Sequence, residues 1–364
     1  MKFILLVTLF CLIGLNFANA QQGGAQTLRL AQSIYEQGRL HELPTVLRDS
    51  AVSKFSKAEQ VSAYKLLTLA YIYLEEPELA DKSMLKLLNT DHFFELNKDV
   101  EPAEFVGLYN TFRTKPVFNI GLKFGVNGTA PLLNSVYYVS NNAAGKGKNT
   151  VGVGFQVGFV FQKEILSRSK NKLYGNGRLI FSPEVFYTNR TFGYSNPSLF
   201  VGDSLNQSAA SIKGTIKQNW IDVNPIVHIK FGKSRDFVPY LGFGPGVSYL
   251  LSAPNTLVLS RKNFNGTNGG GTSGPDVPFA LTYHKIVPSL IGVAGVKYRL
   301  GEFYVTAEFR VQYGLANPVN SSARTNTAGA FDYNYVSSDY KPLNLMANIG
   351  FVFPYFNPIK LKRK

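Results

Sequence analysis

The side chains that could act together chemically are few, and they fall at two-residue spacing. Lys123, Glu184, Asp222, His228, Lys230, Glu308 and Arg310 each lie in a stretch where apolar and polar residues alternate. An acid and a histidine on one face suggest a general base and its orienting group. Asp222 and His228, however, are six residues apart, about 20 Å along a strand at roughly 3.3 Å per residue, too far to hydrogen-bond to one another. Glu308 and Arg310 stand two apart and read as either an active pair or an ion pair. His41, His92 and His284 lack metal-ligand spacing. No phosphate loop, nucleophile elbow or zinc motif occurs. No catalytic residue, cofactor or metal is expected. Mixed signs on one face point instead to an ion-paired filling that satisfies buried charges. A narrow gated pore and a catalytic site are the lesser alternatives.

The elements that carry these groups have a side-chain period of two. Phe303, Val305, Ala307, Phe309, Val311 and Tyr313 alternate with Tyr304, Thr306, Glu308, Arg310 and Gln312. That pattern is a strand between an apolar phase and a polar one. Its length matches the roughly 9–11 residues with which a tilted strand crosses a bilayer. Seven further stretches compare with it: residues 118–126, 151–162, 179–188, 221–231, 241–251, 285–299 and 343–353. Only 285–299 alternates poorly. Hydrocarbon leaves no sheet edge unpaired, so membrane strands must form a barrel. The expected fold is an all-β, eight-stranded, up-and-down transmembrane barrel over residues 116–356. Pro183, Pro225 and Pro245 predict bulges or strand ends.

Residues 1–20 read as a secretory signal peptide: Lys2, an apolar run, then Ala18-Asn19-Ala20. Phe10 before Cys11 argues against a lipoprotein signal. Cys11 is the only cysteine, so removing the signal leaves no disulfide or cysteine-ligated metal. Residues 21–115 have helical spacing and form an expected small all-α helical-hairpin domain. Ser56 and Glu59 make a capping box, Pro77 sits just inside the next helix, and Pro102 opens the last. A short helix is also expected over 41–52. Ala63, Ala70, Tyr71 and Ala80 give these helix pairs a loose tetratricopeptide-like look, with at most two units where three or more are usually needed.

Charge and connection lengths suggest an orientation. The helical part carries net −2 and the remainder beyond residue 116 net +16. Long connections, 127–150, 191–215, 252–283 and 314–340, alternate with shorter ones at 162–177, 232–236 and 300–301. In outer-membrane barrels the long loops lie outside and the short turns in the periplasm. That parity places the helical domain and the C-terminus in the periplasm. Lys163, Arg168, Lys170, Lys172, Lys233, Arg235 and Arg299 then form a periplasmic basic rim, continued by a basic periplasmic tail at 357–364. The rim is either solvated or a docking surface for an acidic partner.

Four segments resemble the outer-membrane β-barrel family of Bacteroidota that includes the PorT-like proteins. They are FNIGLKFG at 118–125, WIDVNP at 220–225, PYLGFGPGV at 239–247 and NIGFVF at 348–353. The resemblance covers about two-thirds of the chain and leaves the helical front outside it. It implies an outer-membrane location with lipid contact, and its best-known members take part in type IX secretion. The expected role is a non-catalytic accessory or scaffold subunit in envelope assembly or protein secretion. Residues 21–115 would bind a periplasmic or outer-membrane protein partner; nucleic acid is not expected. The alternative is a stand-alone structural or surface-adhesion barrel acting through its long extracellular loops.

Overall fold

The computed structural model describes residues 21–139, 147–166, 178–201, 208–232, 234, 236–262, 268–273, 277–325, 332–333 and 335–361. The signal-like segment 1–20 lies outside them. Two compact units emerge: 1–117 together with 356–364, and 118–355.

The first unit is helical. Its helices are α1 (Gln21–Glu36), α2 (Leu43–Val46), α3 (Asp49–Val52), α4 (Lys57–Tyr73), α5 (Pro77–Thr90) and α6 (Ala103–Tyr109). α1 is followed by Gly38 at φ +76°, a conformation that glycine adopts without a Cβ penalty. The helix expected over 41–52 is three single turns instead: a 3-10 turn, α2 with Pro44 in its first turn, and α3. The capping box opens α4: Ser56 Oγ accepts from Glu59 N, and Glu59 Oε2 accepts from Ser56 N at 2.9 Å. Two apolar clusters form the core. Ala31, Leu43, Leu47, Val52 and Ala63 make one, and Met84, Leu87, Leu88, Phe105 and Phe112 the other. The 357–364 tail does not stand apart: its described part pairs with this unit, Lys360 bridging to Phe112.

The second unit is β. Its strands are β1 (Phe118–Ser135), β2 (Lys148–Leu166), β3 (Arg178–Val201), β4 (Ser208–Lys230), β5 (Phe237–Ser252), β6 (Pro254–Lys262), β7 (Asn268–Ser273), β8 (Val277–Pro278), β9 (Ile286–Leu300), β10 (Phe303–Gly314) and β11 (Asp339–Tyr355). Among the described residues eight of them form a ring. β1, β2, β3, β4, β5, β9, β10 and β11 each pair antiparallel with two neighbours, and β11 returns to β1 at Phe118↔Tyr355. Every strand read from the sequence is present. β9 alternates poorly because its inward row carries Val287, which joins a large apolar cluster at one end, and Ile291 and Val293, which pack with Ile226 and Tyr240 inside the ring.

The prolines neither bulge nor end their strands. Pro183 faces Pro225 in a β3–β4 register that is continuous from Arg178↔Lys230 to Asn196↔Ile212. The missing donors appear on the other sides of these strands. There the β2–β3 ladder skips from Val160↔Glu184 to Lys163↔Phe181, and β4–β5 from Val223↔Val247 to Val227↔Phe243, without a change of register.

Much of the expected loop sequence is ordered. β3 and β4 run past the ring as a long hairpin, and β6 pairs with β4 over Ala210–Thr215. Leu257 and Leu259 of β6 join Phe192, Ile212, Ile216, Trp220, Phe279, Tyr283, Tyr335 and Tyr340 in an apolar cluster at that end. The short apolar run Leu257-Val258-Leu259 was a signal in the sequence, hidden among Asn, Gly, Ser and Thr. Burial pushes the Tyr335 phenol well above its usual value, and that of Tyr283 upward too.

Candidate functional site

The ring carries its polar row inward. Lys123, Glu184, Asp222, His228, Glu308 and Arg310 are all buried. Four of them make a cycle of alternating charge. Lys123 Nζ donates to Glu184 Oε1 at 2.7 Å and to Glu308 Oε1 at 2.6 Å. Arg310 donates to Glu184 Oε2 through Nη1, and to Glu308 Oε2 through Nε at 2.8 Å and Nη2 at 2.5 Å. Tyr240 donates its hydroxyl proton to Glu308. Two bases and two acids cancel, with side chains almost wholly withdrawn from solvent. Each charge is paired and hydrogen-bonded, the condition under which ions are tolerated in an interior.

Asp222 belongs to a second cluster. Arg190 Nη2 reaches both its carboxylate oxygens, at 2.7 and 2.8 Å, and Thr188 Oγ1 donates to it at 2.7 Å. The same nitrogen reaches Ser248 and Gln312, each at 3.1 Å, and the guanidinium lies 5.3 Å from the Trp220 ring centroid. His228 is buried against Tyr240, ring centroids 5.0 Å apart, and its Nε2 has no hydrogen-bond partner among the described residues. It makes no base–acid pair with Asp222. Lys230 differs from the others: it is half-buried and reaches Glu164 at 3.7 Å.

Sequence reasoning missed Arg190 and Lys297. Arg190 shares the even parity of Glu184 and Thr188, and extending that strand by one pair would have found it. Lys297 lies on β9, where poor alternation hid the inward row. It is buried, 4.2 Å from the Tyr304 ring centroid and 3.4 Å from Gln162 Oε1. Of the basic rim, Lys163 is exposed, while Arg299 pairs with Asp236 at 2.6 Å. Arg168, Lys170, Lys172, Lys233 and Arg235 lie outside the described residues.

Glycines make this density of side chains possible. At Gly154 a Cβ would lie 1.9 Å from the Asn189 carbonyl oxygen, which accepts a bond from Asn127 Nδ2 across β2 at 3.0 Å. At Gly350 it would meet the Lys123 stem at 2.7 Å. A cavity of ≈ 10 Å³ remains between Gln156, Asp222, Arg310 and Gln312. That is room for about one water. Among the described residues no group of three or more His, Cys, Asp or Glu is placed to hold a metal ion.

The outward row is apolar. Phe124, Val126, Val153, Phe155, Phe159, Val185, Val223, Leu241, Phe243, Phe309, Leu345 and Ile349 are exposed, Val153 at 76% and Phe159 at 70%. Aromatic rings meet on this face: Phe118 stacks on Phe161 and Tyr355, and Phe303 lies tilted against Phe351 and Phe353. Isolated exposed apolar residues are ordinary on soluble proteins, but a contiguous band of this kind is not.

No family model and no curated protein matches the sequence. Solved structures that align with it are bacterial outer-membrane proteins. Neisserial surface protein A aligns over 65% of this chain and 97% of its own, at 13% identity and a TM-score of 0.30. OprG of Pseudomonas aeruginosa aligns over 67% and 98%, at 14% identity and 0.31. The attachment invasion locus protein Ail of Yersinia pestis aligns over 66% and 99%, at 12% identity and 0.26.

Proposed function

We propose that this chain is an outer-membrane β-barrel protein whose helical domain serves as a non-catalytic accessory or scaffold subunit in envelope assembly or protein secretion. The observation that carries the membrane part is the inversion of polarity around the ring: ion pairs within, a contiguous apolar and aromatic band without. Water would not stabilise that arrangement, and lipid would. The aromatic rings on that face suit a membrane–water interface. The helical domain and the C-terminus lie in the periplasm, following the parity of long and short connections. Its helices resemble tetratricopeptide units, and it contacts a periplasmic or outer-membrane protein. The Lys123, Glu184, Glu308 and Arg310 charges neutralise one another and Asp222 is paired with Arg190, which leaves none of these five poised as a nucleophile, acid or base.

Two measurements test this reading. The signal peptide carries the sole cysteine, so single cysteines can be placed at will in the mature chain. A probe at Phe159→Cys is expected to be quenched by nitroxides on lipid acyl chains, and one at Val160→Cys is not. Equal accessibility of both to water would sink the membrane assignment. For the scaffold role, crosslinking in native membranes is expected to capture a partner that is lost on deleting residues 21–115. A deletion that leaves every crosslink intact would favour the second reading, surface adhesion. The ordered apolar cluster beyond the ring, built from β4, β6 and the 279–283 and 335–340 segments, supports that alternative as a rigid platform.

A further inference from the structure

The segment after β11 does not behave as a free basic tail. Phe356 stacks on His92, with centroids 5.1 Å apart, and meets Phe93 edge-on at 5.1 Å. Four residues later Lys360 Nζ reaches Asp81 Oδ2 at 2.5 Å. Between them the backbone runs antiparallel to the segment after α6. Arg113 N donates to Ile359 O at 2.9 Å, and Leu361 N donates to Thr111 O at 2.8 Å, on either side of the Phe112↔Lys360 bridge. Pro358 limits the segment's freedom before it binds. The contact is light: the Lys360 and Asp81 side chains keep 50% and 28% of their exposure, and Ile359 and Leu361 remain exposed. An aromatic anchor, a strand-like backbone pairing and a terminal cation are how extended peptides are recognised by strand addition.

We propose that the helical unit carries a peptide-binding site made of Asp81, His92, Phe93 and the backbone of residues 111–113, and that the chain's own residues 356–361 occupy it in cis. Its ligand class is an extended segment with an aromatic residue four places before a basic one. A partner bearing that pattern competes with the tail, so the tail acts as a built-in competitor for the unit. One oxygen marks the specificity. Asp81 Oδ1 is buried and has no hydrogen-bond partner among the described residues, while Oδ2 takes Lys360. A planar guanidinium engages both oxygens of a carboxylate where an ammonium engages one. The site therefore prefers arginine to lysine at the last position.

The test uses the detergent-solubilised chain ending at Tyr355 and a fluorescein-labelled peptide of residues 354–364. Heat-dependent mobility and helical circular dichroism check that the truncated chain is folded. The peptide is expected to bind it, and to bind the full-length chain at least about tenfold more weakly, because the tethered tail competes at high effective concentration. In the peptide, Phe356→Ala weakens binding about tenfold, Lys360→Glu abolishes it, and Lys360→Arg tightens it severalfold. Asp81→Lys in the chain restores binding of the Lys360→Glu peptide. Should the truncated chain fail to fold, the full-length Phe356→Ala/Lys360→Glu variant opens the same site. Equal affinity for intact and opened chains, no binding to a folded opened chain, or indifference to Lys360→Glu would each overturn the proposal. All of these readings are made in micelles with a synthetic peptide. They stand apart from whether the ring crosses a bilayer or which protein the unit meets.

Discussion

Glu308→Gln is the sharpest perturbation of the interior. Glu308 contacts Lys123 at 2.6 Å and also the Nε and Nη2 groups of Arg310 at 2.8 and 2.5 Å. Without its charge, Glu184 alone must answer two bases. At an effective dielectric of about 20, each ion contact at these distances amounts to about 6 kcal/mol, so two lost contacts approach 12. Part of that is offset, because a neutral amide no longer has to be desolvated as an ion and still hydrogen-bonds to Lys123 and Tyr240. Removing one partner of a buried pair leaves a net cost of about 3–5 kcal/mol. Urea unfolding of the reconstituted protein, followed by tyrosine and tryptophan fluorescence, reads this directly. Adding Lys123→Met restores neutrality, with Glu184 and Arg310 still paired. The double variant is therefore expected to be more stable than Glu308→Gln alone. If Glu308→Gln costs less than about 0.5 kcal/mol, or if Lys123→Met makes it worse, the interior is hydrated and the charge-cycle reasoning is wrong.

Other consequences are independent of that cycle. Phe159→Arg, on the outer band, is expected to cost about 2–4 kcal/mol in a bilayer, against little at a water-facing site, as read from unfolding midpoints in liposomes. Planar-bilayer recordings are expected to show no step conductance, since the buried Lys123, Glu184, Glu308 and Arg310 side chains bridge one another across the ring. Gly154→Val forces a Cβ against the Asn189 carbonyl and is expected to destabilise by about 1–3 kcal/mol, seen as a lowered temperature of heat-modified migration. Ser56→Ala removes the cap of α4 and costs the helical unit about 0.5–2 kcal/mol in thermal circular dichroism. The buried Tyr335 and Tyr283 phenols keep their protons above the usual titration range. Unfolded tyrosine ionises near pH 10, so the cluster's stability is full below that pH and is lost as pH rises past it. Tyrosinate absorbance should show a late-titrating class that appears together with loss of structure.

The strands were legible because two solvents impose two periods of two. Phe303 to Tyr313 could be read without error because every odd residue faces outward and every even one inward. β9 resisted because Val287, Ile291 and Val293 point inward into apolar clusters. Alternation reports polarity on each side, and there both sides are apolar. Pairing partners were a different matter. Glu308 and Arg310 were visible as a near pair, whereas the Arg190–Asp222 contact joins two strands through register, which a single strand's pattern does not encode. Prolines misled because the sequence says a donor is missing without saying which neighbour loses it. At Pro183 and Pro225 the loss falls away from their shared ladder, and the strands continue. The tail was read from its charge alone, and its partner Asp81 lies 279 positions away.

The seam between β1 and β11 sets a timetable. It joins Phe118 to Tyr355, whereas β3 and β4 pair residues as close in sequence as Val201 and Ser208. Contacts close in sequence form early, and those that close long loops form late. During synthesis β1 emerges first among the strands but gains its second neighbour last. Its free edge, with Ile120, Phe124 and Val126 exposed along it, is open to pairing with other chains throughout that interval. The stability of the finished ring therefore says little about its yield. Biogenesis depends on how long the first strand can be shielded before the last one arrives.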